Sequence, residues 1–450
     1  MSDPTPDPNP YRLIGPSEDG QVNDLLAGRD QAEARQRLQA LIAEWLRMEN
    51  LVVLTGAGSS VSLGGKTMTD LESCVLDTVS RLADIPAPIK TIIAARMADS
   101  ITGGDDIPGF EDWLSFLVNA EVVTRHAQSP FSGLNWKSGV TPSKDDLAWF
   151  IDRIGKAIFL ECALTLPTDT SKETPQIAFL AKLIARDSNL GRAHIFTLNY
   201  DTLPEQAMDL LGIQYFDGFG GRAQARFDPS VYGLDIYYPG EIAEGRVRRF
   251  DKFAHLYKLH GSVHWYVDGG ELHARHPALP TKEQYRALTS DEKAVKLNQL
   301  AATLPSIGIL PTVNKFAQTL SMPFAQLFRS FQIRLSAPQT LLLVLGYGFG
   351  DDHVTRLIET ALMNPSLVML VVEPNPASPI IDRIKRYKDL GKRAFILTPT
   401  ADAFALAKFR YATFDDFAQS IMPDVKWLAD FLRLRAFEKQ IQAGQPPLTK

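Results

Sequence analysis

The residues best suited to acid–base chemistry lie in one short stretch, FAHLYKLHGSVHWYV, which holds three of the eight histidines in the chain. His260 ends an apolar run, and Gly261 permits a sharp turn that leaves the imidazole at the edge of a crevice. Histidine ordinarily has a pKa of about 6.5, which suits proton transfer near neutral pH. His260 is therefore a candidate general base, although a hydrogen-bonded structural histidine fits the same pattern. His255 and His264 are expected to form the wall around it.

No metal site is predicted in this stretch. His260 and His264 are four residues apart, a spacing that brings two ligands together only on a helix. Gly261 and its β-branched and aromatic neighbours disfavour a helix there.

A second stretch, IFTLNYD, carries Thr197, Asn199 and Asp201 to the carboxyl end of a predicted strand. In open α/β sheets, ligands bind outside the carboxyl ends of the strands. These polar side chains are therefore candidates for a binding site. The alternative is that Asp201 only caps the following helix, TLPEQAMDLL.

A glycine turn follows the apolar strand in VVLTGAGSS. Gly56 and Gly58 would let the backbone approach a pyrophosphate and present its amides, and a helix N-terminus favours phosphate through its partial positive charge. The dinucleotide fingerprint lacks its third glycine, because position 61 is Val. A tight structural turn therefore remains equally open.

A similar turn occurs in LLLVLGYGFGDDH. Gly346 and Gly348 would again leave room for a ligand beside a strand end. Asp351 or Asp352 has an ordinary role available as the cap of the next helix, so an acid role there is not required by the pattern.

These motifs lie between alternating strand and helix patterns. The apolar runs AHIFTLNY, FAHLYKLH, TLLLVLGYG, LVMLVVEPN and RAFILTP are strand-like, and most precede a helix-patterned segment. Such alternation predicts an α/β fold, a Rossmann-like doubly wound parallel sheet with right-handed crossovers. Helical spacing predicts a large helical insertion, and polar mixed segments at 213–253 and 263–306 predict loops, short strands and a small mixed subdomain over the site.

The chain is predicted to divide into four regions. Five prolines in the first sixteen residues indicate a mobile tail. Residues 22–48 are predicted to be helical. The regions are a disordered tail at 1–20, the Rossmann-like nucleotide-binding domain at 21–70 and 187–410, the helical insertion at 71–186, and C-terminal helices at 411–450.

Composition excludes several classes of protein. The hydrophobic fraction of 45% and charged fraction of 22% are typical of a folded globular chain rather than a disordered one. Apolar runs are too short to span a membrane and no signal peptide is evident, so a cytoplasmic protein is expected. A net charge of -5 gives no electrostatic footprint for direct nucleic-acid binding. Two cysteines, Cys74 and Cys162, are expected to be buried thiols, because they cannot form a four-cysteine zinc site.

The four motifs occur in the order glycine loop, Asn-x-Asp, His-Gly and second glycine turn. This order resembles the sirtuin family, and more closely the sirtuin-like proteins of bacterial defence systems that consume NAD, over roughly residues 50 to 75 and 190 to 375. The resemblance implies that Asn199 and Asp201 position the nicotinamide ribose and hold the carboxamide, and that His260 is the catalytic histidine. It implies NAD contacts at Gly56, Ala57, Gly58, Ser59, Thr197, Gly346, Tyr347, Gly348, Asp351 and Glu373.

Two departures from the sirtuin pattern shape the expected function. GGKTMTDLE replaces the Pro-Asp-Phe-Arg run, so the role of that arginine has no obvious carrier. The four-cysteine zinc module that organises the acyl-lysine cleft of sirtuin deacylases cannot be built, and no metal is expected. The resemblance therefore implies NAD+ glycohydrolysis to ADP-ribose and nicotinamide, as an effector of anti-phage defence. A protein deacylase and a non-catalytic sensor of NAD or ADP-ribose are the alternatives.

The resemblance also implies partners. Stand-alone members of the resembled group form homo-oligomers, and some join a HerA-type hexameric ATPase. The N-terminal helix, the helical insertion and the C-terminal helices offer apolar faces for such contacts, although internal packing explains the same faces equally well.

Overall fold

A computed structural model of the chain describes residues 8–16, 22–102, 107–125, 136–167, 173–187, 189–221, 223–243, 246–275, 285, 288–301, 323–386 and 393–424. The strands are β1 Tyr11–Pro16, β2 Val22–Asp24, β3 Asn50–Thr55, β4 Ala193–Thr197, β5 Gln214–Phe216, β6 Phe219–Gly220, β7 Ala225–Phe227, β8 Tyr237–Ala243, β9 Arg246–Arg249, β10 Phe253–Lys258, β11 Trp265–Asp268, β12 Glu271–Ala274, β13 Thr340–Leu345, β14 Leu367–Val372 and β15 Ala394–Pro399. The helices are α1 Gln31–Trp45, α2 Met68–Ser80, α3 Ala87–Thr102, α4 Phe110–Arg125, α5 Lys144–Cys162, α6 Pro175–Ile184, α7 Leu203–Leu211, α8 Ser290–Ala301, α9 Phe324–Ser336, α10 Asp352–Ala361, α11 Pro379–Arg386, α12 Ala401–Leu406 and α13 Phe414–Asp416.

Nine strands within those ranges form one sheet, in the order β2-β1-β15-β14-β13-β3-β4-β10-β5. Neighbours from β15 to β5 are parallel, whereas β1 pairs antiparallel with β15 and β2 pairs antiparallel with β1. The predicted apolar runs are the central strands, and β13 and β14 are buried along their whole length. Such runs are typical of strands covered on both faces. The structure is thus mixed α/β with a large parallel-rich sheet, consistent with a Rossmann-like fold.

Helices cover both faces of this sheet. On one face, Leu38 of α1, Leu183 of α6 and Met208 of α7 share a core with the strands. On the other face, Phe331 of α9 and Ile358 of α10 belong to the second core. Among the described helices, none is long and apolar enough to cross a bilayer.

The order of the strands creates a switch point beside β3. From β3 the chain passes to β4 on one side, and after β10 it crosses to β13 on the other side. Loops that leave two neighbouring strands in opposite directions open a crevice at their carboxyl ends, which is where open α/β sheets bind ligands. The sheet therefore places its natural binding crevice between the ends of β3 and β13.

A separate helical block packs beside this crevice. Buried residues of α2 to α5 and of α8, including Leu76, Phe150 and Leu297, form a third core. Helix α5 begins at a capping box in which Ser143 and Asp146 bond each other's backbone. The predicted insertion at 71–186 has shifted limits, because α2 begins at Met68 and α6 packs on the sheet instead.

The mixed segments on either side of β10 contain smaller sheets. Strands β6, β7, β12 and β11 form an antiparallel sheet, and β8 pairs with β9 as a hairpin. The prediction of loops and short strands at 263–306 is wrong for α8, whose residues Ala294 and Leu297 pack into the helical block.

The predictions near the chain ends need three corrections. The predicted tail at 1–20 is wrong for Tyr11–Pro16, which forms an edge strand, while residues 1–7 and 17–20 lie outside the described residues. The helix predicted at 22–48 begins only at Gln31. Of the predicted C-terminal helices, Phe414–Asp416 and a π-helical turn at Phe417–Ile421 are described, and 425–450 lies outside the described residues.

Candidate functional site

The register of the sheet brings the sequence motifs to one edge. Thr55 lies opposite Thr197 in β4 and Leu345 in β13, and Thr197 lies opposite Lys258 in β10. The loops that follow these residues therefore leave the sheet side by side. They surround a cavity of about 440 Å³, a size within the usual range for small-molecule sites. Ten of the predicted site residues line it, namely Gly56, Ala57, Gly58, Asn199, Asp201, His260, Gly346, Tyr347, Gly348 and Asp351.

The two glycine turns pack backbone against backbone. The Gly56 N–H donates to Leu345 O (3.0 Å), and the Gly58 N–H donates to Gly346 O (2.9 Å). A Cβ at Gly58 would lie 2.7 Å from Gly346 Cα, and Gly346 has a φ of +63°. Glycine is thus required at both positions by close approach of the turns, which is the structural alternative left open by the sequence.

The amides of this loop are largely used within the protein. Besides Gly56 and Gly58, the Ser59 N–H donates to Gly56 O (3.0 Å) and the Ser60 N–H donates to Ala57 O (3.0 Å). The expectation that the turn presents its amides to a phosphate is therefore wrong for these four residues.

A side-chain network joins the glycine loop to the loop after β4. The two hydrogens of Asn199 Nδ2 are shared among three acceptors, Gly56 O (3.0 Å), Ser59 Oγ (3.1 Å) and Ser60 Oγ (2.9 Å). Ser60 in turn donates its hydroxyl hydrogen to Asp201 Oδ2 (2.7 Å). With the amide nitrogen engaged, the Asn199 side-chain oxygen is the atom that can accept a hydrogen bond from a ligand. Ser60, which no sequence motif indicated, links Asn199 to Asp201 in this network.

Asp201 has a structural role as well as a place in the cavity wall. Its Oδ1 accepts from the Leu203 N–H (3.1 Å) at the start of α7, so the predicted contact with that helix exists. Beneath the loop, Lys258 Nζ contacts Asp201 O and lies 3.2 Å from Glu205 Oε1. The Lys258 and Glu205 side chains are 1% and 3% exposed. Burial raises the pKa of Glu205 despite the opposing effect of Lys258.

His260 reaches the cavity from the end of β10. Gly261 has a φ of +87°, and its N–H closes a tight turn on Lys258 O (3.0 Å). The His260 ring centroid is 5.7 Å from that of His353, and polar atoms of His260, Asp351 and His353 lie within 4.8 Å of one another. This group is the one set among the described residues with a metal-like arrangement of side chains. It coincides with the candidate general base.

The two neighbouring histidines face elsewhere. His255 lies inside β10 and stacks on His194 at 4.8 Å, and burial lowers its pKa to about 4. His264 is buried and shares a hydrogen bond of 2.8 Å between its Nδ1 and Ser262 Oγ. Neither residue lines the cavity, whereas His260 does.

The second glycine turn forms the far side of the cavity. The Tyr347 hydroxyl donates to Asp351 O (3.0 Å), which braces the turn. A Cβ at Gly348 would meet nothing within 4 Å, so this glycine leaves open space. Asp351 precedes α10 without a side-chain capping bond, which contradicts the capping alternative for that residue.

Three predicted residues lie behind or beside the cavity. Thr197 is fully buried in β4, where its Oγ1 accepts from the Asn199 N–H (3.1 Å). Ser59 donates its hydroxyl hydrogen to Gly56 O (2.8 Å). Glu373 follows β14, accepts from the Asn375 N–H (2.9 Å) and has its pKa raised by burial. None of the three is among the residues that line the cavity.

The helical block supplies a wall that sequence motifs did not reveal. Met68, Leu71, Glu111, Glu161 and Cys162 from α2, α4 and α5 line the cavity, together with Lys66. Both Cys162 and Cys74 are half-buried, so the prediction of fully buried thiols is wrong for both. These residues come from segments with ordinary amphipathic patterns, which carry no local sign of a binding role.

The parallel-rich sheet and the cavity at its carboxyl edge are consistent with a Rossmann-like α/β fold, which binds ligands in this position. Residues 193–393 match the family model described as the SIR2-like domain, which supports a sirtuin-like family and an NAD-related function. SIR2-like domains bind NAD and are generally NAD-dependent enzymes. The matched region includes Asn199, Asp201 and His260 and begins after the first glycine turn. No curated protein matches the chain significantly.

Proposed function

We propose that the protein hydrolyses NAD+ at the bond between nicotinamide and ribose. The observation that carries this proposal is the convergence of Asn199, Asp201 and His260 on one cavity beside the glycine turns. The reaction is NAD+ + H2O → ADP-ribose + nicotinamide + H+. The SIR2-like match supports NAD as the substrate.

Cleavage of this bond builds positive charge on the ribose, as in glycoside hydrolysis, and expels a neutral nicotinamide. The leaving group needs little protonation, so the protein acts mainly by holding the sugar and placing water. The Asn199 side-chain oxygen accepts from a ribose hydroxyl or from the attacking water. His260 takes a proton from that water or from a ribose hydroxyl.

Asp201 is proposed to hold the nicotinamide carboxamide. Its two oxygens already accept from Ser60 and Leu203, which fixes the orientation of the carboxylate. A carboxylate oxygen has a second lone pair, so it can also accept from the carboxamide NH2. The network therefore leaves Asp201 rigid and still able to bind.

We also propose a biological setting, and it rests on the resemblance to defence-associated sirtuin-like proteins. The protein would act as an effector of bacterial anti-phage defence in the cytoplasm, where unrestricted loss of NAD stops the infected cell. Such activity requires control by assembly, and a homo-oligomer with a HerA-type hexameric ATPase is the proposed arrangement. Light scattering of the protein alone and with a co-expressed neighbouring gene product tests it.

The test of the reaction is incubation of purified protein with NAD+ and separation of ADP-ribose and nicotinamide. We expect both products without any peptide, and their loss in His260→Ala and Asn199→Ala. His273→Ala is the matched histidine control, because that residue lies on β12 and does not line the cavity.

Three other results would contradict NAD+ hydrolysis or the assigned roles. Nicotinamide release only with an acylated peptide would identify a deacylase. ADP-ribose binding without loss of NAD would identify a sensor. Unchanged turnover in both cavity variants would remove the assigned roles.

A further inference from the structure

The described side chains that line the cavity carry more negative than positive charge, which is unusual for a site that binds a diphosphate. Among the described residues that line it, Lys66 is the one lysine or arginine, whereas Glu111, Glu161, Asp201 and Asp351 carry carboxylates. A diphosphate brings two further negative charges into this wall. Four amides of the glycine loop are bonded within the chain, so a cationic side chain in the wall would offset this charge more directly.

The backbone carries Lys66 directly beside the glycine loop. Gly64 adopts a φ of +86°, and the Gly65 N–H donates to Ser60 O (2.7 Å). A Cβ at Gly65 would lie 2.7 Å from Ser60 Cβ, so the turn depends on close contact there. This turn places Lys66 in the cavity wall, where its Nζ lies near Glu161 of the helical block.

Lys66 shares its ion-pair partner, Glu161, with a second lysine, Lys293. Its Nζ lies 3.8 Å from Glu161 Oε2, and Lys293 Nζ lies 3.0 Å from Glu161 Oε1. The Glu161 side chain is 4% exposed, so its charge requires a nearby cation. Lys293 does not line the cavity and also rests over the Tyr285 ring. Lys293 therefore keeps Glu161 paired when Lys66 contacts a ligand.

We infer that Lys66 binds the diphosphate of the nucleotide, as the one basic side chain among the described residues that line the cavity. This inference rests on the proposed dinucleotide substrate. The Glu161 carboxylate then competes with the diphosphate for Lys66, and it pairs with Lys66 when no ligand is bound. When the diphosphate binds, it replaces the Glu161 carboxylate as the anion paired with the Lys66 ammonium.

The test is calorimetric titration with ADP-ribose, which carries the diphosphate and cannot be hydrolysed at the nicotinamide bond. We expect Lys66→Gln to weaken binding about tenfold or more, since a charge-assisted hydrogen bond is lost. Lys66→Arg keeps the charge and should stay within about threefold of the wild type. Glu161→Gln should tighten binding severalfold, because it releases Lys66 and removes a like charge from the wall.

Lys137→Gln is the matched control, because Lys137 pairs with Asp99 at 3.0 Å and does not line the cavity. Binding of ADP-ribose within about threefold of the wild type is expected for it. Wild-type affinity in Lys66→Gln, or an equal loss in Lys66→Gln and Lys66→Arg, would overturn the inference. The readout is independent of turnover: a wild-type protein that binds ADP-ribose and leaves NAD intact refutes the hydrolase and still tests Lys66.

Discussion

The buried pair beneath the Asn199–Asp201 loop gives a quantitative prediction for Lys258→Met. Methionine keeps most of the apolar stem but removes the ammonium that contacts Asp201 O and Glu205. With the charges 3.2 Å apart, Coulomb attraction at an effective dielectric of 20 is about 5 kcal/mol. Loss of one partner from a buried pair typically costs about 3–5 kcal/mol, because the other charge stays buried. We expect a decrease of that size in the free energy of unfolding.

The dependence on pH separates this cause from simple loss of packing. Burial already raises the pKa of Glu205, and without Lys258 it should rise further. A carboxyl whose pKa is higher in the folded state stabilises the fold below its unfolded pKa, and this contribution is lost as the pH rises through the folded pKa. The deficit of Lys258→Met should therefore shrink between pH 7 and pH 5.

Urea unfolding at both pH values is the assay. Lys258→Met with Glu205→Met replaces the pair by apolar groups and should recover much of the loss. Lys156→Met is the control, since Lys156 pairs at 2.8 Å with a partly exposed Asp152 in α5, and it should cost about 1 kcal/mol or less. A single variant within about 1 kcal/mol of the wild type, or a double variant no better than the single one, would refute the reasoning.

Three further predictions concern other parts of the structure. His255 has its pKa lowered by burial to about 4, so its stabilising contribution is lost as pH falls from about 6.5 towards 4. Between pH 7 and pH 5, the free energy of unfolding should therefore decrease by about 2 kcal/mol less in His255→Phe than in the wild type, as measured by urea titration. Gly58→Ala should destabilise the protein by about 1–3 kcal/mol in urea because its Cβ meets backbone at 2.7 Å, whereas Gly348→Ala, with nothing within 4 Å, should unfold like the wild type. Added Zn2+ should inhibit NAD hydrolysis through His260 and its neighbours, and His353→Gln should raise the inhibitory concentration; inhibition that is equal in both proteins would exclude this group.

The central strands were predictable from sequence because each is a continuous apolar run that ends at a glycine or polar turn. The edge strand β1 was not predictable in this way, since the proline-rich sequence around it indicates disorder and its partner β15 is more than 380 residues away in sequence. Pairing over such a distance leaves no local pattern. The start of α1 lies later than predicted because residues 22–24 form strand β2, which pairs with β1.

The candidate site shows the same division between local and distant signals. Asn199, Asp201 and His260 stand at strand ends, where a periodic pattern stops at a polar residue, so their approach to one edge follows from parallel pairing. Lys66 and Glu161 meet across two separate segments, and nothing in either segment specifies the other. Lys258 did have a local signal, because a lysine within an otherwise apolar strand requires a buried partner.

The antiparallel strand β1 has a practical consequence for protein engineering. It pairs along the outer side of β15, and its Tyr11 hydroxyl donates to both oxygens of Asp416 (3.1 and 3.0 Å). Deletion of residues 1–20 would remove β1 and leave the amide and carbonyl groups along one edge of β15 unpaired. Such truncated chains should aggregate through pairing of their exposed edge strands. An affinity tag should therefore be placed before residue 1, with the N-terminal segment kept.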